Sequence, residues 1–129
     1  MSRLVLHDTP PPSADSVAVV TGASSGIGEQ FARQLVARGY RVVVTARRED
    51  RLQALCAELG GDDHAVAVGT DLAVPADRDR LAARIDELGA HVDILVNNAG
   101  LGMYTKFGNE GRDKELQMLR VDVEASPTR

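Results

Sequence analysis

The chain has a single cysteine, Cys56, and no tryptophan, and two tyrosines with two phenylalanines make up its aromatic complement. A lone cysteine excludes an internal disulfide and fits a reducing compartment. So few aromatic rings leave little for nucleic-acid bases to stack on. Runs of like charge are missing as well: 15 basic and 19 acidic residues give a formal charge of −4 and are interspersed, without the basic stripe that binds nucleic acid. No stretch approaches the ~20 apolar residues of a membrane helix. Leu4, Val5 and Leu6, closed by His7 and Asp8, fall far short of a signal-peptide apolar region. The absences predict a cytoplasmic protein with neither nucleic acid nor membrane as partner. His7, His64 and His91 are scattered and offer no metal site or nucleophile constellation.

What is present suffices for one domain. The 129 residues are 43% hydrophobic and 26% charged, the balance of a soluble globular protein long enough to bury a core. Thr9-Pro10-Pro11-Pro12-Ser13 removes backbone donors and restricts its neighbours, so residues 1–15 are read as a flexible arm and 16–129 as the folded domain.

Within that domain two periodicities alternate. Val17 to Val20 is a continuous apolar run ending at Thr21-Gly22, the pattern of a strand buried on both faces. Ile27, Phe31 and Leu35 then recur at helical spacing until Gly39. Val42 to Val44 gives a second strand, and Leu52, Leu55, Cys56 and Leu59 line a second helix ending at Gly60-Gly61. Ala65 to Val68 is a third strand, Pro75 opens a helix carrying Leu81, Ile85 and Leu88, and Ile94 to Val96 is a fourth strand. Strand and helix alternating at this length predict a doubly wound α/β domain of Rossmann type, with about four parallel strands and helices on both faces. A final helix is predicted to carry Leu116, Leu119 and Val123, with no fifth strand, which would leave the fourth strand at an edge.

The first strand joins the first helix through Thr21-Gly22-Ala23-Ser24-Ser25-Gly26-Ile27-Gly28. Free amides and the helix dipole at such a junction favour a phosphate. Glycines at 22, 26 and 28 permit a tight turn, close approach of backbone to pyrophosphate, and close packing of helix on strand. A nucleoside-triphosphate loop would need Gly-Lys-Ser/Thr at the helix start, and Ile27-Gly28-Glu29 does not supply it.

The spacing Gly-xxx-Gly-x-Gly, with its flanks, resembles the short-chain dehydrogenase/reductase family. Thr45-Ala46-Arg47, Asp71-Leu72, Asn97-Asn98-Ala99-Gly100 and Leu119-Arg120-Val121-Asp122-Val123 agree with it in order and spacing, from about Ser16 to Ala125. The resemblance covers the N-terminal, cofactor-binding half of the family. It implies an NAD(P)-dependent oxidoreductase moving hydride between a nicotinamide and a carbonyl or alcohol substrate. In NAD-selective sites an acidic residue about 20 positions after the glycines bonds the ribose 2′-OH. Here that place is Ala46, and Arg47 and Arg48 follow, so NADP(H) is preferred over NAD(H); the alternative for Arg47 is a solvated helix-start residue. By resemblance Asp71 accepts from the adenine amino group with Leu72 nearby, against the plainer reading of Asp71 as a helix cap. Residues 97–100 then run beside ribose and nicotinamide, so Thr21, Gly22, Ser24, Ser25, Gly26, Ile27, Gly28, Asn97, Ala99 and Gly100 complete the expected cofactor set.

The family's proton relay uses a Tyr-xxx-Lys segment. Tyr40 and Tyr104 are followed four residues on by Val44 and Gly108, so neither fits. Tyr40 is read as a packing residue and Tyr104 as a loop residue. Asp122 stands where the family places a structural Asn, and a carboxylate cannot reproduce an amide's donor. No catalytic residue and no metal ligand are assigned. The chain is expected to bind dinucleotide without transferring hydride alone, and to self-associate or need a partner chain. The alternative is a non-catalytic nucleotide-binding or interaction module that a partner completes.

Overall fold

The computed structural model describes residues 11–23 and 26–97, and the backbone of residues 119–122. Strand and helix alternate as β1 (Ser16–Thr21), α1 (Gly26–Ala37), β2 (Val42–Ala46), α2 (Glu49–Glu58), β3 (Ala65–Gly69), α3 (Pro75–Glu87), β4 (His91–Asn97) and β5 (Leu119–Asp122). All strands run parallel in one sheet of order β3-β2-β1-β4-β5. The expected doubly wound architecture is observed.

The valine runs form strands because both faces are covered, which an alternating pattern would not allow. On one face Ala18, Val20, Val42, Val44, Ile94 and Val96 pack with Phe31 and Leu35 of α1 and Leu52, Leu55 and Cys56 of α2. On the other, Val17, Val19, Val43, Val66 and Leu95 pack with Leu81 and Ile85 of α3. Tyr40 is buried in the first of these clusters, as its packing role requires. Among the described residues no helix is long and apolar enough to cross a membrane.

The final helix and the edge position of the fourth strand are corrected. Leu119–Asp122 is a strand, and it pairs with β4 from Ile94↔Leu119 to Asn97↔Asp122. Leu119-Arg120-Val121-Asp122 alternates apolar and polar residues, a period of two that suits a strand as well as the longer stripe suits a helix. Pairing also satisfies backbone groups that β4 would leave open at an edge. Leu116 and Val123, the rest of the predicted stripe, lie outside the described residues.

Of the segment expected to be an arm, residues 11–15 are described, and they are exposed. Their end is tied down: the Ser16 amide donates to the Ser13 carbonyl at 3.3 Å, and the His91 amide to the Asp15 carbonyl at 2.9 Å.

Beside that tie, β4 carries a bulge. Val17 pairs with Val92 but Ala18 pairs with Ile94, so Asp93 is the extra residue. The Asp93 side chain is buried, and its Oδ1 lies 3.1 Å from His91 Nε2. That oxygen accepts no hydrogen bond in spite of the short separation, because distance alone does not satisfy bond geometry. The contact is therefore one of proximity and not a hydrogen bond.

Candidate functional site

The order β3-β2-β1-β4-β5 reverses direction between β1 and β4, and ligands of open α/β sheets bind outside the carboxyl ends of the strands at such a point. Strand register places Thr45, Thr21, Asn97 and Asp122 in one row across the four strands β2, β1, β4 and β5 at that end. Thr21, Thr45 and Asn97 are buried. The two hydroxyls bond to neighbouring strand ends: Thr21 Oγ1 lies 3.3 Å from the Val96 carbonyl and 3.5 Å from Asn97 Oδ1. Thr45 Oγ1 donates to the Val68 carbonyl at 2.6 Å and lies 2.6 Å from Thr70 Oγ1. Buried hydroxyls bonded in this way fix the strand ends that carry the loops.

The chain leaves β1 at Gly22, whose φ of 64° is left-handed and open to glycine without strain. The Ala23 amide then donates to the Thr45 carbonyl at 3.2 Å, holding the turn on β2. Ser24 and Ser25 lie outside the described residues. At Gly26, the first residue of α1, a side-chain carbon would meet nothing within 4 Å. Among the described residues nothing crowds this helix N-terminus, and outward amides and the positive dipole end at such a place receive an anion. Gly28 is buried against the sheet, and Ile27 packs at the edge of the core. A turn of this kind before a helix start is one that can receive a phosphate.

Past β2 the two arginines part. Arg47 is exposed and has no hydrogen bond or ion pair among the described residues. Arg48 reaches Asp50 through Nε and Nη2, each at 3.3 Å, and holds the Asp50 carboxyl below its usual range. Glu49, at the start of α2, folds over the end of β3, where a carbon added to Gly69 would meet its Oε1 at 2.7 Å.

The loop from β3 to α3 is bonded at nearly every step. Asp71 Oδ1 accepts from the Ala73 amide at 3.1 Å, and the Asp71 amide donates to Asp77 Oδ2 at 2.8 Å. Arg78 donates to the Leu72 carbonyl at 2.8 Å and Arg80 to the Gly69 carbonyl at 2.5 Å. Leu72 is buried against the α3 side of the sheet. Sequence reasoning missed Asp77, Arg78 and Arg80. The available signal was an acidic residue two positions after Pro75, the place from which such a side chain reaches back over a helix start.

Asn97 ends β4 in the row just described, while Ala99, Gly100 and Tyr104 lie outside the described residues. Asp122 is corrected in position: it ends β5 beside Asn97 instead of standing within a helix. Cys56, in α2, is buried, and that burial pushes its thiol up to about 11. Among the described residues no cluster of His, Cys, Asp and Glu is able to hold a metal ion.

Parallel strands in this order with helices on both faces define a Rossmann-type α/β fold. Over residues 16–126 the sequence matches the short chain dehydrogenase family, and the chain belongs to that family of oxidoreductases. An uncharacterized oxidoreductase of Staphylococcus epidermidis is 37% identical over 113 residues, which cover 87% of this chain and 48% of that protein. A Dichelobacter nodosus protein, named as a probable NADP-dependent dehydrogenase, is 43% identical over 106 residues, covering 80% of this chain and 95% of that one. The solved structure of a 3-ketoacyl-(acyl-carrier-protein) reductase from Brucella melitensis, complexed with NADH, is 29% identical with a TM-score of 0.72 over 88% of this chain and 58% of that chain. The chain thus spans about half the length of the Staphylococcus relative, at 48%.

Proposed function

We propose that this chain is the cofactor-binding half of an NADP(H)-dependent short-chain oxidoreductase, whose reaction moves hydride between the nicotinamide and a carbonyl or alcohol. One observation carries the reading: a glycine turn before α1 stands at the strand-order reversal, and Arg47, whose guanidinium has no partner among the described residues, follows the neighbouring strand. Thr21, Gly22, Ser24, Ser25, Gly26, Ile27 and Gly28 would hold the pyrophosphate. Arg47, seconded by Arg48, would meet a 2′-phosphate, Asp71 and Leu72 the adenine, and Asn97, Ala99 and Gly100 the ribose and nicotinamide. The relatives bear on the cofactor without deciding it, since one is named for NADP and another is complexed with NADH. Arg47, at the end of β2 where a carboxylate would repel phosphate, favours NADP(H).

Neither tyrosine is followed by lysine four residues on, so we assign these residues to binding and not to proton transfer. The lone buried Cys56 suits a reducing, cytoplasmic setting. Titration of NADPH and NADH into the purified chain is the test, with NADPH expected to bind tighter by about tenfold or more. Equal affinities would remove the 2′-phosphate assignment, and carbonyl reduction by this chain alone would overturn the division of labour. A second reading, a nucleotide-binding module completed by a partner, is favoured by β5 standing as an end strand of the sheet among the described residues. Mass by light scattering separates the two, a monomer at high concentration counting against the partner.

A further inference from the structure

The first turns of α3 send three side chains back onto the loop that precedes them, and each takes a different main-chain group. Asp77 accepts from the Asp71 amide at 2.8 Å, Arg78 donates to the Leu72 carbonyl at 2.8 Å, and Arg80 donates to the Gly69 carbonyl at 2.5 Å. Arg80 also lies 3.7 Å from Asp77 Oδ1, which links two of the three. Helix α3 has no side-chain cap at Val74, so Asp77 serves the loop in place of its own helix start. The Asp71 side chain is fixed in turn, because its Oδ1 accepts from the Ala73 amide at 3.1 Å. Its second oxygen, Oδ2, has no partner among the described residues. A carboxylate with one oxygen anchored and the other open is oriented to accept from a ligand amine.

We propose that Asp77, supported by Arg78, is a positioning residue that holds Asp71 and Leu72 in the shape that selects adenine at the far end of the dinucleotide. This rests on the assignment of Asp71 to the adenine amino group made above. In this assignment Asp77 contacts the loop and not the cofactor. It fixes the amide of the residue that does, so its loss loosens the direction of the Asp71 carboxylate while leaving the glycine cradle and Arg47 untouched. A rigid acceptor distinguishes adenine, which carries an amino group, from hypoxanthine, which carries a carbonyl there. A loosened one turns away and loses the distinction.

The experiment measures the affinity of the purified chain for NADPH and for its hypoxanthine analogue. The parent is expected to prefer NADPH by about tenfold, the value of one hydrogen bond to a charged group. Asp77→Ala should bring that ratio close to one, chiefly through weaker NADPH binding, and Asp77→Asn, which keeps an acceptor, should restore most of it. Arg78→Ala should lower the ratio by a smaller factor and serves where Asp77→Ala does not fold. A purely structural role would weaken both ligands alike, and a parent-like ratio in folded Asp77→Ala or Arg78→Ala would overturn the inference. A parent without preference would instead overturn the Asp71 assignment, and the inference with it.

Discussion

Replacing Arg47 by alanine tests the cofactor reading at its narrowest point. Arg47 is exposed and has no bond among the described residues, so its removal takes nothing from the fold. Stability should stay within about 0.5 kcal/mol of the parent, as for surface substitutions in general. A hydrogen bond to a charged group contributes ~1.5–3 kcal/mol, so NADPH affinity should fall by about 10- to 150-fold. NADH, which has no 2′-phosphate, should bind as before. Arg48 provides the internal comparison, since its guanidinium already meets Asp50, with side chains 65% and 71% exposed. Pairs that exposed are worth about 0–1 kcal/mol and are easily given up, so Arg48→Ala should weaken NADPH by a smaller factor. Calorimetric titration of both nucleotides at two salt concentrations reads out all of this, with NADPH the more salt-sensitive ligand. An unchanged NADPH-to-NADH ratio in Arg47→Ala would refute the assignment, and a larger loss from Arg48→Ala would transfer it to the neighbour.

Leu81 is fully buried between α3 and the sheet, so Leu81→Ala should lower unfolding free energy by about 2–5 kcal/mol in denaturant titration. Gly60 combines a φ of 113° with a His64 ring carbon 2.5 Å from where a side chain would start. Gly60→Ala should therefore cost about 1–3 kcal/mol, seen as a lower Tm, without altering nucleotide affinity. The Cys56 thiol, raised from 9.0 to about 11 by burial, should resist iodoacetamide at neutral pH until the protein unfolds. Because the folded value lies above the unfolded one, the stability linked to this thiol is complete below pH 9.0 and is lost as pH rises through about 11, which a denaturation series over that range would detect.

Much of the fold could be read from the sequence because its signals were local. Apolar runs at 17–20 and 42–44, apolar residues at helical spacing in three segments, and glycines where helices end each point to one element, and those elements stand where periodicity put them. Leu119–Asp122 was misread because four residues fit both a period of two and part of a helical stripe, and only pairing with β4 decides. At the site, residue types and positions were legible while their partners were not. Arg47 and Arg48 look alike in sequence, and it takes the Asp50 carboxylate to tell them apart. An acidic residue two positions after Pro75 signals a side chain that reaches back over the helix start, but that Asp77 takes the amide of Asp71, six residues earlier, depends on how α3 leaves the sheet.

The bulge at Asp93 connects the far end of β4 to the site. Pairing runs from Ser16↔His91 to Val17↔Val92 and, once Asp93 has been passed over, resumes with Ala18↔Ile94 and ends with Thr21↔Asn97. Without the extra residue the partner of Thr21 would be Val96, and Asn97 would lie one step past the row. The same residue corrects the faces. Val92 packs on the α3 side and Ile94 on the α1 side, although residues two apart in a regular strand share a face. A strand without the bulge would send Ile94 and Val96 to the wrong layer or pull Asn97 out of line with Thr21. Asp93 is thus kept buried, with one oxygen that has no hydrogen bond among the described residues and His91 beside it, at the place where the strand changes phase. What looks like a local expense at the amino end of β4 sets which side chain stands at the carboxyl end, where the cofactor is proposed to bind.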